Sequence, residues 1–556
     1  MPSWVFLITI LAGVICPAVG RFEKRQSDLP TVDLGYEIHQ GSINSTGNYY
    51  VFSNIPYAQQ PVGELRFQKP VAISGKGSGF NNGTSDRDVV ICPQAYPQWV
   101  INLMAERGGV DNETMADRLN NQPGQTEACL VLDVYVPANS FSQGAVAKAP
   151  VVAWIHGGGF TFGSKTAFGS PAGLIARSQR NGRDGNIFVS INYRLGMFGW
   201  LAGEDVTPNL GLYDQRLALE WVKQYISLFG GSPDRVTAMG ESAGASSIVH
   251  HITAYGGAAS APFQSAIPQS PAFQFNIDLA AGYNKTLTEA SRQVGTPVNG
   301  VDALRGLSAN TLISINQATV TSADIGTFGF GPGRDGTYVP DIPQVLLYEG
   351  KFDRGVNLLI SHTTNESVPF LPPGILTADD VRSYAQSSLP EASATTIDTL
   401  LTDPALYPNI LDGNYPWTTQ FGRAARLSSD IAFACTARYL SVARGNATYD
   451  YVFAYPPAWH ATDVAYVFFN GDTSTPDDGY PVDAELAWQL QDYIVGFVGA
   501  GDPNAGGTGT GPVPFPVYGS EGRVLELGYE GFRLAVDDLK GERCDWIQRA
   551  MVDGRL

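Results

Sequence analysis

Arg235-Val236-Thr237-Ala238-Met239-Gly240-Glu241-Ser242-Ala243-Gly244 is the stretch whose reading decides the fold. Its first half is a mostly apolar run of strand character, and a helix-like stretch follows from Ala245 to Tyr255. Gly-x-Ser-x-Gly at a strand-to-helix junction is a nucleophile elbow. The turn is so tight that the serine backbone is strained and the flanking positions tolerate almost no side chain. The pentapeptide alone has little specificity, because Gly and Ser are common; the strand–turn–helix setting gives it weight. A base, an acid and an oxyanion hole must then come from elsewhere in the chain.

Outward from the elbow, short apolar runs at 131–136, 151–155, 187–193, 356–361 and 451–455 join 236–239 as buried-strand candidates. Several alternate with helical patterns: Leu217, Trp221, Tyr225 and Leu228 recur at helical spacing before Gly230-Gly231. Strands alternating with helices predict a mostly parallel sheet covered on both faces, hence one large α/β domain with insertions and an N-terminal β region. No internal repeat and no long low-complexity linker interrupts it.

His156-Gly157-Gly158-Gly159-Phe160 follows the 151–155 strand directly. Three glycines leave backbone N–H groups uncovered, which suits an anion that develops only in a transition state. The rival is a phosphate loop, Gly158-x4-Gly163-Ser164-Lys165, but there the lysine follows the hydroxyl residue instead of preceding it. Of six histidines, His156 belongs to the glycine turn and His39 to the N-terminal β region. His250 and His251 lie on the elbow's own helix, on the order of 12 Å below the serine at 1.5 Å per residue, and their adjacency is not the spacing of a metal helix. In a Ser–acid–His chain order, only His362 and His460 leave room for an acid. His362 would require an acid such as Asp335, in an ordinary Asp-Gly turn. His460 sits after the 451–455 strand in Pro457-Ala458-Trp459-His460-Ala461-Thr462-Asp463, and Glu366 just beyond the 356–361 strand. A carboxylate there can hold one ring nitrogen while the other accepts the serine proton.

With 556 residues and 44% hydrophobic content the chain can bury a large core. A net charge of −18 argues against nucleic acid or an anionic membrane as partner. Val5 to Cys16 is an apolar run too short to span a bilayer, and Ala18-Val19-Gly20 offers a small-residue cleavage site, so residues 1–20 read as a signal peptide. Lys24-Arg25 suggests a short propeptide at 21–25, leaving a mature domain at 26–556. Asn44, Asn82, Asn112, Asn284 and Asn446 each begin an N-x-S/T sequon, which has meaning only in the secretory pathway. Cys92, Cys129, Cys435 and Cys544 remain after cleavage, an even set that in an oxidising compartment implies two disulfides with three connectivities open.

The chain resembles the type-B carboxylesterase/lipase family, from about Asp33 to Trp546. The motifs that carry the resemblance are Ile55-Pro56-Tyr57-Ala58 leading to Leu65-Arg66-Phe67, Glu127-Ala128-Cys129-Leu130, His156-Gly157-Gly158-Gly159-Phe160, Asn192-Tyr193-Arg194 and Asn209-Leu210-Gly211-Leu212-Tyr213-Asp214-Gln215. They continue with Phe229-Gly230-Gly231-Ser232-Pro233, the elbow, Gly501-Asp502-Pro503-Asn504 and Phe515-Pro516-Val517-Tyr518. Ala128, Phe515 and Gln60 depart from the family's usual residues without touching the chemistry. The resemblance implies an α/β-hydrolase fold and a secreted carboxylic-ester hydrolase needing no metal or cofactor. It makes Ser242 the nucleophile, Glu366 the acid, His460 the base, and the Gly158, Gly159 and Ala243 amides the oxyanion hole. It also implies the pairings Cys92–Cys129 and Cys435–Cys544, and a small-molecule or lipid ester as substrate. Glu241 is expected as a buried structural carboxylate, and the overlapping sequon at Asn365 as unused. Within the Cys92–Cys129 loop, Trp99, Val100, Leu103 and Met104 form an apolar stripe that is either a mobile lid meeting a lipid surface or a helix packed permanently on the core. A fold-retaining binding or adhesion protein without catalysis is the alternative class, disfavoured by the intact Ser242, Glu366 and His460; a serine peptidase on the same fold is a second. An esterase of a secondary-metabolite pathway is the narrower alternative within the enzyme class.

Overall fold

The structure is a computed structural model that describes residues 29–77, 79–82, 89–203, 206–274, 278–471, 482–505 and 513–556. The expected signal peptide and propeptide lie outside the described residues.

Strands β1 (Thr31–Asp33), β2 (Glu37–Gln40) and β5 (Gly79–Asn81) form a small three-stranded N-terminal sheet. The main sheet has 11 strands. In chain order these are β3 (Ser42–Asn44), β4 (Tyr49–Pro56), β6 (Val131–Pro137), β7 (Ala149–Ile155), β8 (Ile187–Ile191), β9 (Gly231–Glu241), β10 (Ser265–Gln269), β11 (Asn357–Thr363), β12 (Tyr449–Phe453), β13 (Arg523–Gly528) and β14 (Gly531–Val536). Their spatial order is β14-β13-β12-β11-β10-β9-β7-β8-β6-β4-β3. From β8 to β13 every pairing is parallel; β6, β4 and β3 on one side and β14 on the other run antiparallel.

Each central strand is buried on both faces, which is why it reads as a continuous apolar run in the sequence. Along β7, Val151, Ala153 and Ile155 enter one core, while Val152 and Trp154 enter the other. That alternation is the two-residue period of a strand. Helices Leu210–Tyr225 and Ala243–Thr253 cover the first face with Leu212, Leu219, Val222, Ile248 and Ile252. Helices Ala172–Ser178 and Ala484–Ala500 cover the second with Leu174, Ile175, Leu490 and Ile494. The α/β-hydrolase architecture expected from the sequence is present. Both disulfides connect as expected, Cys92–Cys129 and Cys435–Cys544. Among the described residues no helix is long and apolar enough to cross a membrane.

Several boundaries differ from the sequence expectation. The elbow helix begins at Ala243, immediately after the serine, and stops at Thr253. The helix at 210–225 runs on as a 3-10 turn over Ile226–Phe229 before Gly230 ends it. Strands β10, β13 and β14 had no counterpart among the sequence candidates.

Candidate active site

The C-terminal ends of β7, β9, β11 and β12 deliver the glycine turn, Ser242, Glu366 and His460 to one edge of the sheet. That is where a parallel sheet gathers its loops and builds its sites. Ser242 joins β9 to the following helix with φ 55° and ψ −120°, a conformation that costs an L-residue about 1–3 kcal/mol. The turn is held by its backbone: Ser242 N–H donates to the Gln269 carbonyl on β10, and Ser246 N–H donates to the Ser242 carbonyl. Gly244 is required by close approach, since a Cβ there would lie 2.0 Å from the Ile155 carbonyl oxygen.

The glycine turn is built around positive φ values at Gly158, Gly159 and Phe160. Thr161 and Phe162 N–H groups donate to the Gly158 carbonyl, and Gly196 N–H to that of Phe160. Gln94, two residues from Cys92, clamps the far end by accepting from Gly163 N–H and donating to the Gly163 carbonyl. Among the described residues the Gly158, Gly159 and Ala243 N–H groups donate no hydrogen bond. Lys165, the cation of the rival phosphate loop, is buried against Asp133 at 2.6 Å and is spent on that pair. His156 stacks on Tyr193, and burial depresses it to about 4.

His460 and Glu366 meet. Glu366 is fully buried; its Oε2 lies 2.6 Å from His460 Nδ1 and its Oε1 accepts from Thr363 N–H. Burial opposes the charge of this carboxylate, but the imidazole and the Thr363 amide outweigh it and hold it below the usual range. His460 is also buried, and burial alone would depress it. The carboxylates of Glu241 and Glu366 overcome that and raise it to about 8. Glu241 is buried as expected, yet it faces the second ring nitrogen: Oε1 is 3.1 Å from His460 Nε2, at an angle that makes no hydrogen bond. Burial pushes Glu241 itself up to about 8.

A third buried carboxylate, Asp463, accepts from Tyr451 Oη at 2.9 Å and is lifted by burial to about 6. Phe370 and Phe433 pack against the His460 ring at 5.3 and 4.7 Å.

Ser242 opens onto a small cavity of about 60 Å³, lined mainly by apolar groups such as Phe273, Phe328, Phe370 and Phe433, with Gly159 and Ala243 also in its wall. The helix Gln98–Gly108 of the Cys92–Cys129 loop packs against two of its lining residues. Trp99 packs edge-on to Phe328 and Phe370 and donates from Nε1 to the Thr327 carbonyl. Arg107 reaches over the Trp459 ring, next to His460.

The Carboxylesterase family model matches residues 35–546. The chain belongs to the carboxylesterase family. It is a carboxylic ester hydrolase. Carboxylesterase patB of Aspergillus clavatus is 38% identical over 94% of this chain and 96% of its own length. Lipase 1 of Geotrichum candidum is 29% identical over 92% of this chain and 94% of its own. The crystal structure of Aspergillus niger EstA superposes with a TM-score of 0.77 at 23% identity, covering 95% of this chain and 99% of that one, and so shares the fold.

As a carboxylesterase-family chain it uses its recurrent motifs as buried clamps. Arg66 forks onto Glu127 beside Cys129, and Arg194 onto Asp214, tying the N-terminal region and the helix Leu210–Tyr225 to the sheet. His362, the rival base, turns towards Asp537 and Asp538, and Asp335 caps its own turn by accepting from Thr337 and Val339 N–H groups. His250 and His251 are buried in the elbow helix, and burial depresses both. Sequence reasoning missed Asp463, although it lay within the His460 motif, and it missed the aromatic lining, whose members are scattered from Phe160 to Phe433. Among the sequons Asn82, Asn112 and Asn284 are exposed, whereas Asn44 and Asn446 are half-buried and Asn44 donates to Tyr49 Oη. Asn365 is exposed, with its amide donating to the Pro457 carbonyl.

Proposed function

We propose that the protein is a secreted serine esterase working through an acyl-enzyme on Ser242, with His460 as base and Glu366 as the acid that orients it. The observation that carries this is the 2.6 Å contact between His460 Nδ1 and Glu366 Oε2, deep beside a strained serine that opens onto a cavity. The contact engages Nδ1 and leaves Nε2, which faces Glu241 without a hydrogen-bond partner of its own, to take the serine proton. Ser242 Oγ attacks the ester carbonyl as His460 takes its proton. The Gly158, Gly159 and Ala243 amides, unspent elsewhere, receive the oxyanion. The imidazolium, held by Glu366, protonates the leaving alcohol, and the same histidine then activates water for deacylation.

Secretion is supported by two disulfides joining distant segments and by relatives named as secreted lipases. Residues 1–20 then act as the signal peptide, 21–25 as a short propeptide and 26–556 as the mature domain. The exposed sequons at Asn82, Asn112 and Asn284 are the glycosylation sites best placed to carry glycans. Turnover of p-nitrophenyl butyrate by the native enzyme and by Ser242→Ala tests the catalytic assignment. Loss of turnover with an unchanged melting curve is expected, and retained turnover would refute it.

A further inference from the structure

The cavity at Ser242 is lined mostly by aromatic side chains but includes two hydroxyl groups away from the nucleophile's own. Tyr384, on the helix Ala378–Ser388, and Ser428, on the helix Gln420–Ser429, both line it. Tyr384 Oη donates to Ser428 Oγ at 2.8 Å. That contact uses the tyrosine's hydrogen and leaves the serine's hydrogen without an acceptor among the described residues. It also leaves lone pairs on Tyr384 Oη. Both residues are half-buried, and their neighbours in the cavity, Phe273, Phe370, Ala432 and Phe433, offer no side-chain acceptor. A free donor facing an apolar pocket is a selective feature, because a ligand oxygen gains a hydrogen bond there and a hydrocarbon desolvates the hydroxyls without return.

The half of the ester that enters this cavity follows from its lining. The leaving alcohol must lie beside His460, which protonates it, and His460 is not among the cavity's lining residues. Ser242, Gly159 and Ala243 are. The cavity therefore receives the acyl group. At about 60 Å³ it is small, which favours compact acyl groups.

We propose that Tyr384 and Ser428 form a polar subsite in the acyl pocket. The preferred substrates are esters of compact acids that carry a carbonyl or hydroxyl oxygen remote from the scissile bond. This rests on the ester-hydrolase assignment of Ser242 and extends it to substrate class. Ser428 donates to the distal oxygen, and Tyr384, hydrogen-bonded to Ser428, positions that hydroxyl.

The test compares p-nitrophenyl 5-oxohexanoate with p-nitrophenyl hexanoate, equal in chain length and different by one carbonyl. The reading is the ratio of their kcat/KM values, each corrected for spontaneous hydrolysis. The native enzyme is expected to favour the oxo ester by about three- to tenfold, the span of one neutral hydrogen bond. Ser428→Ala and Tyr384→Phe should each bring the ratio close to one. A pair that only ties two helices together would lower the melting temperature and leave the ratio where it was. A ratio unchanged in both folded variants, or a native preference for hexanoate, would overturn the subsite. Failure of the native enzyme on both esters, or turnover retained in Ser242→Ala, would overturn the catalytic assignment beneath it.

Discussion

Replacing Glu241 by Gln removes one of the three carboxylates that hold the His460 imidazole above its ordinary value. Glu241 Oε1 stands 3.1 Å from His460 Nε2, and opposite unit charges at that distance attract by about 5 kcal/mol at an effective dielectric of 20. Only part of that acts, because burial raises Glu241 itself to about 8, so it is incompletely ionised where His460 titrates. An acid shift of about one to two pH units is expected, each unit corresponding to about 1.4 kcal/mol. His460 is a base only when neutral, so native kcat/KM should rise with pH through about 8. Glu241→Gln should reach its plateau one to two units lower, as read from kcat/KM for p-nitrophenyl butyrate between pH 5 and 9. A midpoint that stays in place, or moves upward, would refute the electrostatic role of Glu241. The same groups set stability. Glu241 and His460 both bind protons more tightly in the folded chain than in the unfolded one, so the folded state holds extra protons between about pH 4.5 and 8. Stability from these groups therefore falls as pH rises through that window. Urea midpoints should decline from pH 5 to 8 in the native protein and decline less in Glu241→Gln.

Glu366→Gln keeps the shape of the acid but removes the charge that steadies the imidazolium; kcat should fall by about 10³- to 10⁴-fold with little change in the melting temperature. Gly159→Ala places a Cβ 2.2 Å from the Phe328 ring at a backbone φ of +57°, so the turn must shift; a loss of about 100-fold in kcat is expected, as for one oxyanion donor. Replacing Cys435 and Cys544 by Ser opens a link spanning 109 residues and should cost about 5 kcal/mol in denaturant unfolding, against about 4 for the 37-residue link Cys92–Cys129.

The parts of the fold that were legible in the sequence are those governed by burial or by local stereochemistry. Strands β6, β7, β8, β9, β11 and β12 are apolar because both faces are covered, and the elbow and glycine turn are short motifs with a steric reason for each glycine. Strand β10, Ser265–Gln269, escaped notice although it lies in the middle of the sheet, because Pro268 and its polar ends break the apolar run. β13 and β14 form an edge hairpin that carries Arg523, Glu526 and Arg533 among its apolar residues, so it lacks the signature of the central strands. In the site, chain order narrowed the base to His362 and His460, and strand-end placement together with the family resemblance pointed to Ser242, Glu366 and His460. The environment of His460 was not legible, because it arises from three carboxylates, Glu241 at the end of β9, Glu366 beyond β11 and Asp463 in the helix Thr462–Val467, that only the fold brings together. Nor was the cavity at Ser242: Phe433 lines it from a π-helical turn, Asp430–Ala434, whose extra residue no periodicity would reveal.

The central claim is that Ser242 forms a covalent bond with the acyl group of its substrate. Inactivation by diethyl p-nitrophenyl phosphate, followed by peptide mass spectrometry, tests it most directly. The account predicts one diethylphosphoryl group per chain, on the peptide containing Ser242, with activity lost in proportion to labelling and no label on Ser242→Ala. An enzyme that loses activity while labelled elsewhere, or that stays active with Ser242 fully phosphorylated, would contradict it.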